Sequence, residues 1–90
     1  EPGLYIENSH GIRLENELLV RKGTNNMYGQ FMYFETLTYV PFDLDAIEES
    51  MLSPEEKSQL NAYHQKVYEL VSPYLNSDEK EWLKRNTRQI

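Results

Sequence analysis

Gly11-Ile12-Arg13-Leu14-Glu15-Asn16, read together with Glu1-Pro2-Gly3-Leu4-Tyr5 just upstream, is the stretch on which the reading of this chain turns. It has the pattern of a short turn entering a β-strand. Side chains along a strand alternate with a period of two. Arg13, Glu15 and Glu17 then point one way, and Ile12, Leu14, Leu18 and Val20 point the other way into apolar packing. A charge between two apolar neighbours on a packed strand costs on the order of several kcal/mol to desolvate unless something pairs with it. Arg13 is one partner for Glu15. A bound cation is another, and a second acid arriving from the Glu1 turn favours the cation.

Upstream, Glu1 precedes a proline and is pushed toward extended geometry. Pro2-Gly3 bends the chain, and Glu7-Asn8-Ser9-His10-Gly11 is a polar turn that makes a hairpin-like return into a strand over 11–20. Downstream, Arg21-Lys22-Gly23-Thr24-Asn25-Asn26 reads as a second polar break, an exposed loop between strands. Residues 31–40 are rich in aromatic and β-branched side chains and predict a strand ended by Pro41. Neither of its faces is cleanly polar, so it is expected to be covered on both sides.

The remainder reads as helical. Residues 45–50 suit one short turn. Ser53-Pro54-Glu55-Glu56 is a start signal, with Ser at the N-cap, Pro at the first helical position and Glu three residues after the cap. Leu60, Tyr63, His64, Val67, Leu70, Val71 and Tyr74 recur at helical spacing as one buried stripe. Pro73 is expected to kink the last turn of that helix rather than stop it earlier. Ser77-Asp78 caps a final short helix through about Thr87, anchored by Trp82 and Leu83, with its acids early and Lys84, Arg85 and Arg88 late as the helix dipole favours.

Ninety residues make one small domain at most, with a limited core. A chain that opens on Glu1 rather than Met reads as a piece of something longer. There is no apolar run long enough to span a bilayer and no signal-peptide pattern. A net charge of −6 argues against a nucleic-acid binder, which would carry a basic stripe. With no cysteine there is no disulfide framework, thiolate metal site or Cys nucleophile, which fits a reducing compartment. The acids at Asp43, Asp45, Glu48, Glu49, Glu55 and Glu56 read as a solvated face with helix N-terminal charges.

The pair Glu1-Pro2-Gly3-Leu4-Tyr5 and Gly11-Ile12-Arg13-Leu14-Glu15-Asn16 resembles the last two metal-ligand motifs of the creatinase-like metallopeptidases. The similarity continues through Phe34-Glu35-Thr36-Leu37-Thr38-Tyr39-Val40-Pro41 and Leu60-Asn61-Ala62-Tyr63-His64, and ends at Trp82-Leu83. That narrows it to the C-terminal end of a cytosolic-type Xaa-Pro aminopeptidase (the aminopeptidase P branch).

The resemblance implies an α+β fold. This chain is the C-terminal part of a pita-bread catalytic domain, with antiparallel strands followed by a long helix and a short terminal helix. Residues 1–42 are the last strands of that domain, and 43–90 are a helical extension typical of the branch. It also implies that Glu1 and Glu15 are two of five ligands to a pair of divalent cations, Glu15 bridging both and Glu1 binding one and shuttling a proton. Arg13 and Tyr5 then hold the acidic ligands in place. Carboxylate-rich coordination suits manganese, with zinc and cobalt as the other candidates. The aspartates and histidine that complete the set in the family lie upstream, so this piece is not expected to be active alone. Its implied partners are a peptide with proline in second position, the rest of its own catalytic domain and a second copy in a homodimer.

The other conspicuous residues have plainer readings. His10 sits in a polar turn and reads as solvent-facing, His64 as a hydrogen-bonded packing histidine. Glu35 reads as half of a structural ion pair or a cap to neighbouring backbone. The aromatics Tyr28, Phe31, Tyr33, Phe34 and Tyr39 read as core and interface residues. The reading from a different class is a non-catalytic interaction or dimerisation module, from a pita-bread protein that has lost its metals. In either case the piece alone is expected to expose strand edges and apolar surface.

Overall fold

The computed structural model describes residues 2–90, which form two compact units, 2–38 and 39–90. The first unit holds two antiparallel hairpins. In one, β1 (Gly3–Tyr5) pairs with β2 (Gly11–Arg13) in the register Gly3 to Arg13, Leu4 to Ile12 and Tyr5 to Gly11. The turn between them is closed by the Ile6 amide donating to the His10 carbonyl at 2.8 Å and the Ser9 amide to the Ile6 carbonyl at 3.0 Å. Asn8 takes a φ of 57° there, a left-handed conformation that asparagine tolerates better than most residues. The predicted hairpin return is therefore present.

The strand predicted over 11–20 is interrupted. It stops at Arg13, and β3 begins at Leu18 and continues to Asn26. The backbone in the gap finds partners elsewhere. The Glu17 carbonyl accepts from the Leu37 amide at 2.9 Å, and the Glu17 amide donates to Thr38 Oγ1 at 3.0 Å. The expected loop at residues 21–26 is also corrected, because it lies inside β3, paired with β4 (Gly29–Thr36). Its polar, glycine-containing sequence is accommodated by a β-bulge. Pairing passes from Lys22–Met32 to Asn25–Gln30, so that Gly23 and Thr24 face Phe31 alone. The Gln30 side-chain amide donates to the Gly23 and Phe31 carbonyls at 2.9 and 2.8 Å, satisfying backbone that the bulge leaves unpaired.

Met27-Tyr28 forms the tip of this hairpin. The Tyr28 amide donates to Asn26 Oδ1, and Gly29 takes a φ of 124° that suits no other residue. The ending of the last strand differs too: it runs to Thr36, not to Pro41. Ile12, Leu14, Leu18 and Val20, expected to point into packing, are exposed, as are Phe31, Tyr33 and Phe34 on β4. Two two-stranded hairpins do not by themselves make a second layer for these faces to pack on.

The second unit packs around Leu44, His64, Val67 and Leu83. Two 3-10 turns, Leu44–Ala46 and Glu49–Met51, are capped by the Asp43 and Glu48 side chains, which accept from the amides of Asp45 and Ser50. Those bonds hold the Glu48 carboxyl below the usual carboxylate range, the Ser50 hydroxyl contributing most. Helix α1 (Pro54–Val71) starts in the predicted capping box. The Glu56 amide donates to Ser53 Oγ at 3.2 Å and the Ser53 amide to Glu56 Oε2 at 2.8 Å.

The helix ends at Val71, and Ser72–Tyr74 tightens into a 3-10 turn. Pro73 thus closes the helix rather than kinking it, and Tyr74 is 87% exposed instead of belonging to the buried stripe. Leu70 is exposed as well. Helix α2 (Ser77–Asn86) is capped one residue earlier than predicted, by a reciprocal Asn76–Glu79 box. Leu83 anchors it and is buried. Trp82 is 54% exposed, because consecutive helical residues face different directions. Among the described residues no helix is long and apolar enough to cross a membrane.

Residues 39–42 are clasped onto α1. The Tyr63 hydroxyl donates to the Val40 carbonyl at 2.9 Å and accepts from the Val40 amide at 3.1 Å, and its ring lies 6.1 Å from Tyr39 and 5.1 Å from Phe42. The Phe42 amide donates to His64 Nε2 at 3.0 Å, so His64 is the hydrogen-bonded packing histidine that the sequence predicts. Burial, and then the charge of Arg88, lower the His64 pKa. Below the ordinary histidine value of about 6.5 the opened segment binds the proton that the closed one resists, so the clasp is at full strength above that pH and weakens below it. Amide exchange of Phe42 in the full-length protein, corrected for intrinsic rates, should show constant protection above about pH 6.5 and falling protection below it. Protection that did not change across that range would remove His64 as the latch.

Candidate metal centre

Tyr5 and Arg13 lie on one face of the β1–β2 hairpin, together with Gly3 and Gly11. The register makes Tyr5 and Gly11 one cross-strand pair and Gly3 and Arg13 the next. Glu15 follows two residues beyond Arg13, outside the strand, with its Oε1 3.6 Å from Arg13 Nε. The Glu15 side chain is 35% exposed and Arg13 53%, so the pair is reachable from solvent. Glu1 lies outside the described residues. Among the described residues no three or more His, Asp or Glu side chains gather as a metal site requires.

Glu15 is held by residues that sequence reasoning did not single out. Its neighbour Asn16 accepts through Oδ1 from Thr38 Oγ1 at 3.1 Å, and that same Thr38 oxygen accepts from the Glu17 amide at 3.0 Å. The two residues that follow Glu15 are thus pinned to the end of the second hairpin. No local signal marks this, since 22 and 21 residues separate the partners.

The remaining candidates are spoken for. His10 Nδ1 is 2.8 Å from Ser9 Oγ in the exposed turn. Glu35 pairs with Arg21 across the second hairpin, the ion pair expected of it, and raises the Arg21 pKa by hydrogen bond and charge. His64 belongs to the core of the helical unit.

Residues 30–90 match the family model described as the C-terminal region of peptidase M24. The chain belongs to the M24 peptidase family. Over its whole length it is 38% identical to human Xaa-Pro aminopeptidase 2 and 44% identical to Aminopeptidase P2 of Arabidopsis thaliana, covering 14% and 13% of those proteins. A solved structure of X-prolyl aminopeptidase from Caenorhabditis elegans, described as a cytosolic enzyme with a di-nuclear active site, superposes with a TM-score of 0.83 at 33% identity. The match takes in 99% of this chain and 15% of that one. The chain therefore spans about a seventh of the length of these M24 relatives. Its antiparallel strand pairs, long helix and short terminal helix are the C-terminal part of a pita-bread α+β fold, as the sequence predicts.

Thr38→Val keeps the shape of the side chain and removes both hydrogen bonds. One neutral hydrogen bond is worth about 1 kcal/mol, so amide exchange at Glu17 in the full-length protein should quicken by about fivefold. An unchanged rate would show that the Glu15 segment is held by something else.

Proposed function

We propose that the full-length protein is a dinuclear-metal Xaa-Pro aminopeptidase, and that this chain supplies Glu1 and Glu15 as two of its five metal ligands. The observation that carries the reading is the Arg13–Glu15 ion pair, on the hairpin that also presents Tyr5. The donor set fits the group. Glu15 is a hard oxygen donor reachable from solvent, and Arg13 approaches its Oε1. When bound, two divalent cations, in our reading manganese, would lower the pKa of a water enough for attack on a peptide carbonyl near neutral pH.

The protein's own groups have separable tasks. Glu15 and Glu1 would hold the cations through carboxylate oxygens, and Glu1 would also accept a proton during the reaction. Arg13 balances the acidic ligands and fixes their orientation, and Tyr5 adds a hydrogen bond to that shell. Residues 1–42 supply the last strands of the catalytic domain and 43–90 the helical extension. The substrate is a peptide with proline in second position, and the enzyme works in the cytosol as a homodimer. The exposed apolar side chains on both hairpins support the reading that the rest of the catalytic domain covers them.

Glu15→Gln in the full-length protein should abolish both bound metal and cleavage of an Xaa-Pro peptide. Arg13→Leu should lower metal affinity or turnover by about 10–100-fold. Metal content by plasma emission and turnover by peptide release are the measurements. Survival of both in the Glu15 variant would overturn the assignment, and a metal-free wild-type protein indifferent to chelators would favour the interaction module.

A further inference from the structure

Two glycines in short strands need an explanation, because glycine weakens a strand and has no side chain to pack. Gly3 and Gly11 do not need glycine for their backbone: among the described residues Gly29 is the glycine with positive φ. What both positions share is the Tyr5 ring. A Cβ on Gly11 would lie 2.8 Å from Tyr5 Cδ1 and 3.1 Å from Cε1. A Cβ on Gly3 would lie 3.0 Å from Cε2, 3.0 Å from the hydroxyl oxygen and 3.1 Å from Cζ. Such separations are well inside ordinary carbon contact at about 3.5–4.0 Å.

The contacts describe one orientation. Tyr5 stands opposite Gly11, and its ring lies flat against the hairpin with the hydroxyl end drawn back over Gly3. Gly3 is the residue paired with Arg13. The hydroxyl is therefore carried toward the end of the hairpin from which Arg13 and Glu15 extend. A side chain at either glycine would lift the ring off the backbone. An aromatic covering a cross-strand glycine is a known way to stabilise a sheet, and here the ring covers two.

We propose that Gly3 and Gly11 are positioning residues for the metal site: the bare backbone at these two places lets the Tyr5 ring lie down and aims its hydroxyl at the Arg13 end of the hairpin. The proposal rests on the peptidase reading for its consequence in turnover, and on the hairpin geometry alone for the position of the ring.

The test is a cycle in the full-length protein of Gly11→Ala, Tyr5→Phe and the double variant, with Gly23→Ala as control. At Gly23 a Cβ would meet nothing closer than 3.4 Å, an ordinary contact. With 3-fluorotyrosine incorporated, the Tyr5 fluorine resonance is assigned by its loss in Tyr5→Phe. In metal-free protein it should move in Gly11→Ala and stay in place in Gly23→Ala. For turnover of an Xaa-Pro peptide, Gly11→Ala and Tyr5→Phe should each lower kcat by about tenfold with KM little changed, and the double variant should lose no more than the worse single variant.

A Tyr5 resonance that does not move in Gly11→Ala overturns the positioning claim, whatever the turnover. Losses that multiply in the double variant overturn it as well, since Gly11 would then act other than through the hydroxyl. A wild-type protein that holds no metal and cleaves no Xaa-Pro peptide sinks the peptidase reading, while the fluorine measurement still decides where the ring lies.

Discussion

A carboxylate at the exit of a strand needs a positive charge in front of it, and Arg13 supplies that charge to Glu15. The rest of the first unit serves this pair. The short hairpin sets the face from which Arg13 projects, and the Asn16–Thr38–Glu17 hydrogen bonds hold the chain where Glu15 leaves it. At the surface such a pair contributes little to stability, about 0–1 kcal/mol. Its value lies in orientation. A carboxylate that already faces an arginine has less freedom left to lose when another group approaches it.

The hairpins look unfinished when taken by themselves. Each sheet has two strands, below the number at which a sheet is independently stable, and apolar side chains are exposed on β3 and β4 alike. Both facts fit a chain that spans about a seventh of its M24 relatives. Strand edges and bare apolar faces are what remains of a sheet when its neighbours are considered apart from it. The bulge at Gly23-Thr24 bends and twists the second hairpin.

The helical unit stands on firmer ground. Both of its helices begin in reciprocal capping boxes, and the buried side chains among the described residues are drawn from α1, α2 and the 3-10 turn at Leu44. Polar clasps do the rest. Tyr63 and His64 grip residues 40–42, Arg88 pairs with Asp45 at 2.7 Å, and Asn61 exchanges two hydrogen bonds with the backbone of Ile90. With so little apolar core, directional bonds to backbone carry much of the task of specifying one arrangement.

What the sequence determined by itself is local. The capping box at Ser53, the stripe through His64 and Val67, and the hairpin return before Gly11 were all readable, because each depends on residues close to one another in the chain. Where a rule was read wrongly, a non-local partner had decided the matter. The polar run at 21–26 became strand because Gln30 and the bulge satisfied its backbone, and the strand over 11–20 broke because Glu17 bonded to residues 37 and 38. The use of Gly3 and Gly11 was invisible for the same reason: nothing in a strand pattern says where an aromatic ring will lie down. Contacts between residues distant in the chain are set by packing, and only the tertiary structure decides them.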